Sequence, residues 1–246
     1  MPTRDGEVAA GGSRRAGTGR RGWRRSKLSR DVVFSAALEL IDRDGIENLS
    51  MRGLGQALGR DPMTIYKYTP NKAAILDGVT EVMLSQLAPS NGNKPGDWRE
   101  ELRKIARQFR EIALAHPNAV ALIVTRPLSS PLARRPPGTL RPLEYILELL
   151  AGAGISGRDA LFVYRSLFGF LVGHILNELQ EVVDEPEEDD DLLRLGLQNL
   201  PLREFPRLRS LASALISYDG AAELERGLDL LITGLSTQLT TKPKKK

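Results

Sequence analysis

The chain has 246 residues, 41% of them hydrophobic, a formal net charge of +4 and no cysteine. That is enough for one large domain or two smaller ones with a packed core, and it excludes disulfides and thiolate metal sites. No uninterrupted apolar run reaches the ~18 residues of a membrane span, and no secretory apolar stretch opens the chain, so the sequence predicts a cytoplasmic protein without a membrane partner.

Residues 1–28 hold eight basic side chains, from Arg4 to Lys27, against Asp5 and Glu7, and they are rich in Gly, Arg and Ser. Such a composition cannot build a core and predicts a disordered basic arm. Two readings of the arm stay open, contact with the phosphates of a polyanion or a solvated tail. The C-terminal 241–246 is a second basic tail, read as solvated. Removing the +6 of the arm and the +4 of the tail lysines leaves the body at −6. A basic arm on an acidic body points to an arm that meets a polyanion.

From Ser29 the pattern becomes helical. Ser29 caps, Asp31 sits in the first turn, and Val33, Ala37, Leu40 and Ile41 recur at helical spacing up to Gly45. Ser50 caps a second helix that carries Met51, Leu54, Ala57 and Leu58 and closes at Gly59. Asp61 caps a third with Pro62 at its first position, where the missing N–H costs nothing. Thr69-Pro70 repeats that device for a fourth helix with Ile75, Val79, Val82, Met83 and Leu87 inward. Residues 89–96 read as a linker.

Asp97 and Glu100 form a capping-box pattern ahead of Leu102, Ile105, Phe109 and Ile112. A short helix is expected over about 118–124, a Pro-rich loop over 127–138, and a helix over about 140–151. A long helix from Ser156 to Val183 follows, apolar nearly all round, which requires burial on most sides. Residues 181–191 contain eight acids and no base. Helices over about 206–217 and 220–239 close the chain, the last with a seam of Leu224, Leu228, Leu231, Leu235 and Leu239. No strand and no repeat is evident. The fold class is all-α, with domains at 29–88 and 97–240.

The segment LGRDPMTIYKYTPNK, residues 58–72, sets two X-Pro steps eight residues apart around a short polar helix. A helix, a Gly turn and a short capped helix make a helix-turn-helix by spacing. Thr64, Tyr66, Lys67 and Tyr68 suit phosphates, thymine methyls and base edges, while Ile65 anchors inward. The run from Leu28 to Val79, with AALELIDRDGIENLSMRGLGQALG, TIYKY and NKAAILD, resembles the DNA-binding domain of the tetracycline-repressor (TetR) family. More weakly, FREIALAHPNAVALIVTRP, GHILNELQ and GLDLLITGLSTQL are similar to the core of the tetracycline repressors. The resemblance implies a regulator that binds a double-stranded DNA operator as a homodimer and is released by a small-molecule effector. It assigns DNA contacts to Arg52, Pro62, Met63, Thr64, Tyr66, Lys67 and Tyr68, and a phosphate to Lys72. Residues 29–88 carry six bases and eight acids, a poor charge for DNA, which gives the arm more to do.

In tetracycline repressors a histidine coordinates the drug's magnesium, where this chain has Leu122. A carboxylate there is Asn177 here, and a drug-binding histidine is Ala88. The sequence therefore predicts no metal and no cofactor, and an apolar, aromatic-lined effector cavity drawn from Phe109, Leu122, Tyr145, Tyr164, Phe168, His174 and Asn177. Each aromatic, and His174, also reads as plain core. Two roles stay open for Arg126, holding an anionic effector or capping a helix. With two histidines, no cysteine and no Gly-rich phosphate loop, no nucleophile–base constellation is present, so the chain reads as a regulator and not an enzyme. The alternative, an architectural DNA-binding protein without effector, would need basic charge across its body.

Overall fold

The computed structural model describes residues 27–87, 97–129, 135–183 and 195–240. The basic arm, the linker, Ala88, the acidic loop from 184 onward and the lysine tail lie outside the described residues. Among those described, every regular element is helical.

The first four helices form one unit. In α1, Arg30–Asp44, Ser29 takes the extended capping conformation and accepts the Val32 N–H at 3.3 Å. Gly45, with φ of 80°, ends it. In α2, Met51–Leu58, Ser50 accepts the Gly53 N–H, and left-handed Gly59 reverses the chain so that the Arg60 N–H returns to the Gly55 carbonyl at 2.9 Å. The α2–α3 turn lies tightly on Gly55, where a Cβ would sit 2.9 Å from the Arg60 carbonyl oxygen. Helix α3, Pro62–Ile65, is capped by Asp61 through the Met63 N–H at 2.7 Å. It is a single turn, shorter than expected, and continues as tight i→i+3 turns through Tyr68. The cap of α4, Lys72–Ser85, is Asn71, which accepts the Ala74 N–H at 2.9 Å. The expected Thr69-Pro70 start is corrected by two residues, because Asn71 both takes the extended conformation and supplies the acceptor.

Helix α5, Trp98–Ala115, is capped by Asp97 through the Arg99 N–H. The reciprocal half of the expected capping box is not used, since Glu100 meets Arg107 at 3.4 Å instead. A 3-10 turn, Pro117–Ala119, leads into α6, Val120–Ser129, which runs through Pro127 and so shortens the expected loop. Helix α7, Pro137–Gly152, starts with Pro137 in its first turn and carries Pro142 inside; the carbonyl deprived of a partner belongs to Gly138.

Helix α8, Gly157–Val183, is followed by α9, Pro206–Ser210, and α10, Ala212–Ile216, which Leu211 separates where one helix was expected. Helix α11, Gly220–Thr240, closes the described chain. Over Gly157–Gln180, α8 is long and apolar enough by length and composition alone to cross a membrane, a test that core helices also pass, although Arg158, Asp159, Arg165 and Glu178 interrupt its apolar run.

The core runs from α1 and α4 through α5–α7 to α8 and α11. Phe34 of α1 lies directly over Gly78 of α4, where a Cβ would be 2.4 Å from its ring. The expected leucine seam of α11 turns inward. Leu224, Leu228 and Leu235 are buried beside Ile232, and Leu231 and Leu239 are partly buried. The exposed apolar side chains here are instead Leu230, at 74%, with Leu161, Phe162 and Leu176 of α8.

Candidate nucleic-acid interface and ligand pocket

The polar face expected to meet DNA is gathered around one short turn. Ile65 is fully buried and pins α3 to the core, which turns Met63, Tyr66 and Lys67 outward. Met63 is 71% exposed. Thr64 and Pro62 are half-buried beside them, and Arg52 is exposed in the first turn of α2. Tyr68 differs from this group, since its ring packs partly against the core. Lys72 also departs from a free phosphate clamp, because its ammonium donates to the Glu47 carbonyl at 3.3 Å. That bond holds the start of α4 against the α1–α2 connection.

The second site is a pocket among α4, α5, α6, α7 and α8, with about 660 Å³ between its lining atoms when its open mouth is included. Phe109, Tyr164 and Phe168, three of the residues expected around an effector, line it. Tyr164 stacks on Phe168 at 6.0 Å with ring planes 14° apart, and Phe168 meets Phe109 edge-on at 6.1 Å. Ile146, Leu167 and Leu171 extend the apolar wall. Burial pushes the Tyr164 phenol above its ordinary pKa while the positive charge of Arg135 opposes the shift, so the hydroxyl is a neutral donor at physiological pH.

Other expected effector residues lie elsewhere. Leu122 is buried but does not line the pocket, whereas its neighbour Ile123 does. Tyr145 points across to α5, its hydroxyl 3.4 Å from Glu101. Asn177 is exposed. An apolar Leu122 and an exposed Asn177 offer no cradle for the magnesium of a metal–drug ligand. His174 is buried on the α11 side, stacked on Phe170 at 5.9 Å with Nε2 3.5 Å from Glu178. It belongs to a buried polar cluster in which Glu178, 4% exposed, accepts from the Arg110 guanidinium. Arg126 lies near the end of α6 with its side chain outside the described residues.

Sequence reasoning missed Arg135, Thr139, Leu84 and Leu87, which all line the pocket. Arg135 sits in a stretch read as a connector, and Leu84 and Leu87 belong to the helix assigned to the DNA-binding unit. The latter pair joins the two sites, because α4 has its first turn beside α3 and its last in the pocket wall. A second connection runs from α1 to the end of α5. His116 Nδ1 lies 2.8 Å from Asp42 Oδ2, and the Asn118 side-chain amide donates to the Asp42 carbonyl at 2.9 Å.

Comparison with known proteins gives a consistent result. Residues 33–79 match the family described as "Bacterial regulatory proteins, tetR family", and residues 88–239 match "Tetracyclin repressor-like, C-terminal domain". The tetracycline repressor protein class C of Escherichia coli is 33% identical over 222 residues, 88% of this chain and 94% of that protein. Among solved structures, the TetR family protein ActR of Streptomyces coelicolor in complex with actinorhodin is 27% identical, with a TM-score of 0.71 over 87% of this chain and 99% of that one. A variant of TetR from Acinetobacter baumannii AYE in complex with minocycline is 26% identical, with a TM-score of 0.66 over 89% of this chain and 100% of that one.

Proposed function

The chain belongs to the TetR family of transcriptional regulators, which are DNA-binding proteins and not enzymes, and from that premise we propose that it is a repressor released from a palindromic operator by a small aromatic effector. The observation that carries this reading is the span of α4, whose Leu84, with Leu87 just past its end, walls the pocket while its N-terminus abuts the exposed Met63–Lys67 turn. A ligand that fills the pocket displaces the end of α4, and the turn that reads DNA is carried on the other end. The ligand must bind the DNA-incompetent form more tightly, since equal affinity shifts nothing. A tenfold fall in operator affinity requires a difference of only ~1.4 kcal/mol, within the usual range of coupling.

In this reading the protein acts as a homodimer, as members of the family typically do. The exposed Phe162, Leu176 and Leu230 form the face that a second copy covers, and Gly169, Gly173 and Gly234 leave open space beside them. Leu176→Glu combined with Leu230→Glu should give a monomer by sedimentation equilibrium, and an unchanged dimer would place the interface elsewhere. Operator reading is assigned to Tyr66 and Lys67, with Arg52 and Lys72 on phosphates.

The deciding experiment is selection of bound fragments from random DNA. One palindrome should emerge, Lys67→Ala should change the preferred bases in each half-site, and Lys72→Ala should weaken all sequences alike and lower the salt slope by about one. Recovery of fragments without a shared sequence would favour the architectural alternative and overturn the proposal.

A further inference from the structure

Sulfur in this chain is confined to four methionines, since no cysteine is present. Those among the described residues differ sharply in access. Met83 is fully buried inside α4, and Met51 packs partly against the core at the start of α2. Met63, by contrast, is 71% exposed in the α3 turn. Its backbone is held on both sides. The Met63 N–H donates to the Asp61 carboxylate at 2.7 Å, and the fully buried Ile65 anchors the turn two residues on. Tyr66, three residues after Met63 and 46% exposed, shares the outer side of the turn. A fixed backbone thus presents one flexible thioether to solvent within the face assigned to DNA. Without thiols to react first, thioethers are the principal targets of a two-electron oxidant, and exposure decides among them.

Resting on the reading that this turn meets the operator, we propose that Met63 is a redox-sensitive modification site, whose oxidation to the sulfoxide by a hydroperoxide reversibly weakens operator binding. The thioether sulfur attacks one oxygen of the peroxide, the O–O bond breaks, and that oxygen remains on sulfur as S=O. Sulfur loses two electrons and the peroxide gains them. The proton on the transferred oxygen passes to the departing hydroxide, which leaves as water. A soft apolar side chain has then become a polar, chiral one. The change matters at this position because apolar side chains meet thymine methyls in the major groove, whereas a sulfoxide is an acceptor alone and faces purine edges that are themselves rich in acceptors. It leaves the fold alone, since Met63 contributes no buried side chain and Met83, whose oxidation would disrupt the core, is shielded.

The test treats the full-length protein with hydrogen peroxide and follows each methionine by peptide mass spectrometry. Met63 should gain oxygen well before Met51 and Met83, and bound operator should shield it. Affinity for the palindrome recovered from random DNA should fall about tenfold, the size of one lost base contact, with the circular dichroism of the helices unchanged. The two epimer-specific methionine sulfoxide reductases together should restore it. In Met63→Leu, whatever its own affinity, peroxide should change nothing, while Met51→Leu should respond as the wild type does. The proposal is overturned if Met63 is oxidised with affinity unchanged, if Met51 or Met83 reacts first, or if Met63→Leu loses affinity on treatment as the wild type does. Each of these leaves the operator reading standing, provided the untreated protein selects one palindrome. If the untreated protein selects none, or if bound operator leaves Met63 unshielded, the reading of this turn fails and the proposal falls with it.

Discussion

Removing His116 should destabilise the protein more than removing its partner, although both changes delete the same hydrogen bond. Asp42 Oδ2 faces His116 Nδ1 at 2.8 Å, and Asp42 Oδ1 is buried without any partner. Burial raises the Asp42 pKa, and the two opposing influences both come from His116, its hydrogen bond and its charge. His116→Ala therefore strands a half-buried carboxylate whose Oδ1 already lacks a partner, which costs about 1–3 kcal/mol. Asp42→Ala removes that liability and leaves an imidazole that water can reach, so it should cost well under half as much. The pH dependence carries the same signature. An acid whose folded pKa lies above its unfolded value contributes stability that is full below the unfolded value, here 3.8, and lost as pH rises through the folded one. In His116→Ala the folded pKa moves up further, so the deficit against wild type should be largest near neutrality and shrink on acidification toward pH 4. Urea unfolding of wild type, both single variants and the double variant across that range completes the cycle. The reasoning is refuted if Asp42→Ala costs as much as His116→Ala at neutral pH, or if the deficit does not close in acid.

Three further substitutions test other parts of the fold. Gly78→Ala places a Cβ 2.4 Å from the Phe34 ring, so it should lower stability by about 1–3 kcal/mol, and Phe34→Leu should restore much of the loss; a neutral Gly78→Ala in thermal unfolding would show that α1 and α4 do not pack this closely. Arg110→Met leaves Glu178, 4% exposed, without its guanidinium and should cost about 3–5 kcal/mol, whereas Arg110→Met with Glu178→Leu should recover most of it; equal losses in both would deny the buried pair. Leu171→Trp should abolish the response to effector while retaining operator binding by fluorescence anisotropy, and loss of DNA binding in the absence of any ligand would contradict it.

Legibility in the sequence followed the range of the interactions involved. Helix ends that rest on a single cap, Ser29, Ser50, Asp61 and Asp97, are read correctly because the cap and the N–H it serves are two or three residues apart. The start of α4 is misread because Pro70 and Asn71 both carry start signals, and only the backbone conformation chooses Asn71. The pocket is harder to read because it is a property of five helices at once. Phe109, Tyr164 and Phe168 are found through their aromatic character on inward faces, but Leu122 and Ile123 are equally apolar and adjacent, and the helix rotation alone decides which lines the cavity. Likewise, the leucine spacing of α11 reveals an apolar stripe without saying whether it meets its own chain or a partner, and here it meets its own.

The placement of α4 explains why one short helix can serve both sites. Phe34 over Gly78 fixes its middle to α1, and Glu81 packs on Gly138 of α7 at a position where a Cβ would be 1.9 Å from the carboxylate. These two glycines bring backbone against side chain, so α4 has little freedom to slide, and in the proposed mechanism pressure at its pocket end would tilt it about Gly78. A tilt swings the Lys72 end in the opposite direction, and with it the α3 turn that lies just before it. The Asp42–His116 pair ties α1 to the α5–α6 junction and so would work against the proposed motion. In the proposed mechanism its strength would set how much of the ligand's differential binding energy reaches the recognition turn. A weakened pair should lower operator affinity without ligand, because the competent orientation is less populated before any effector binds.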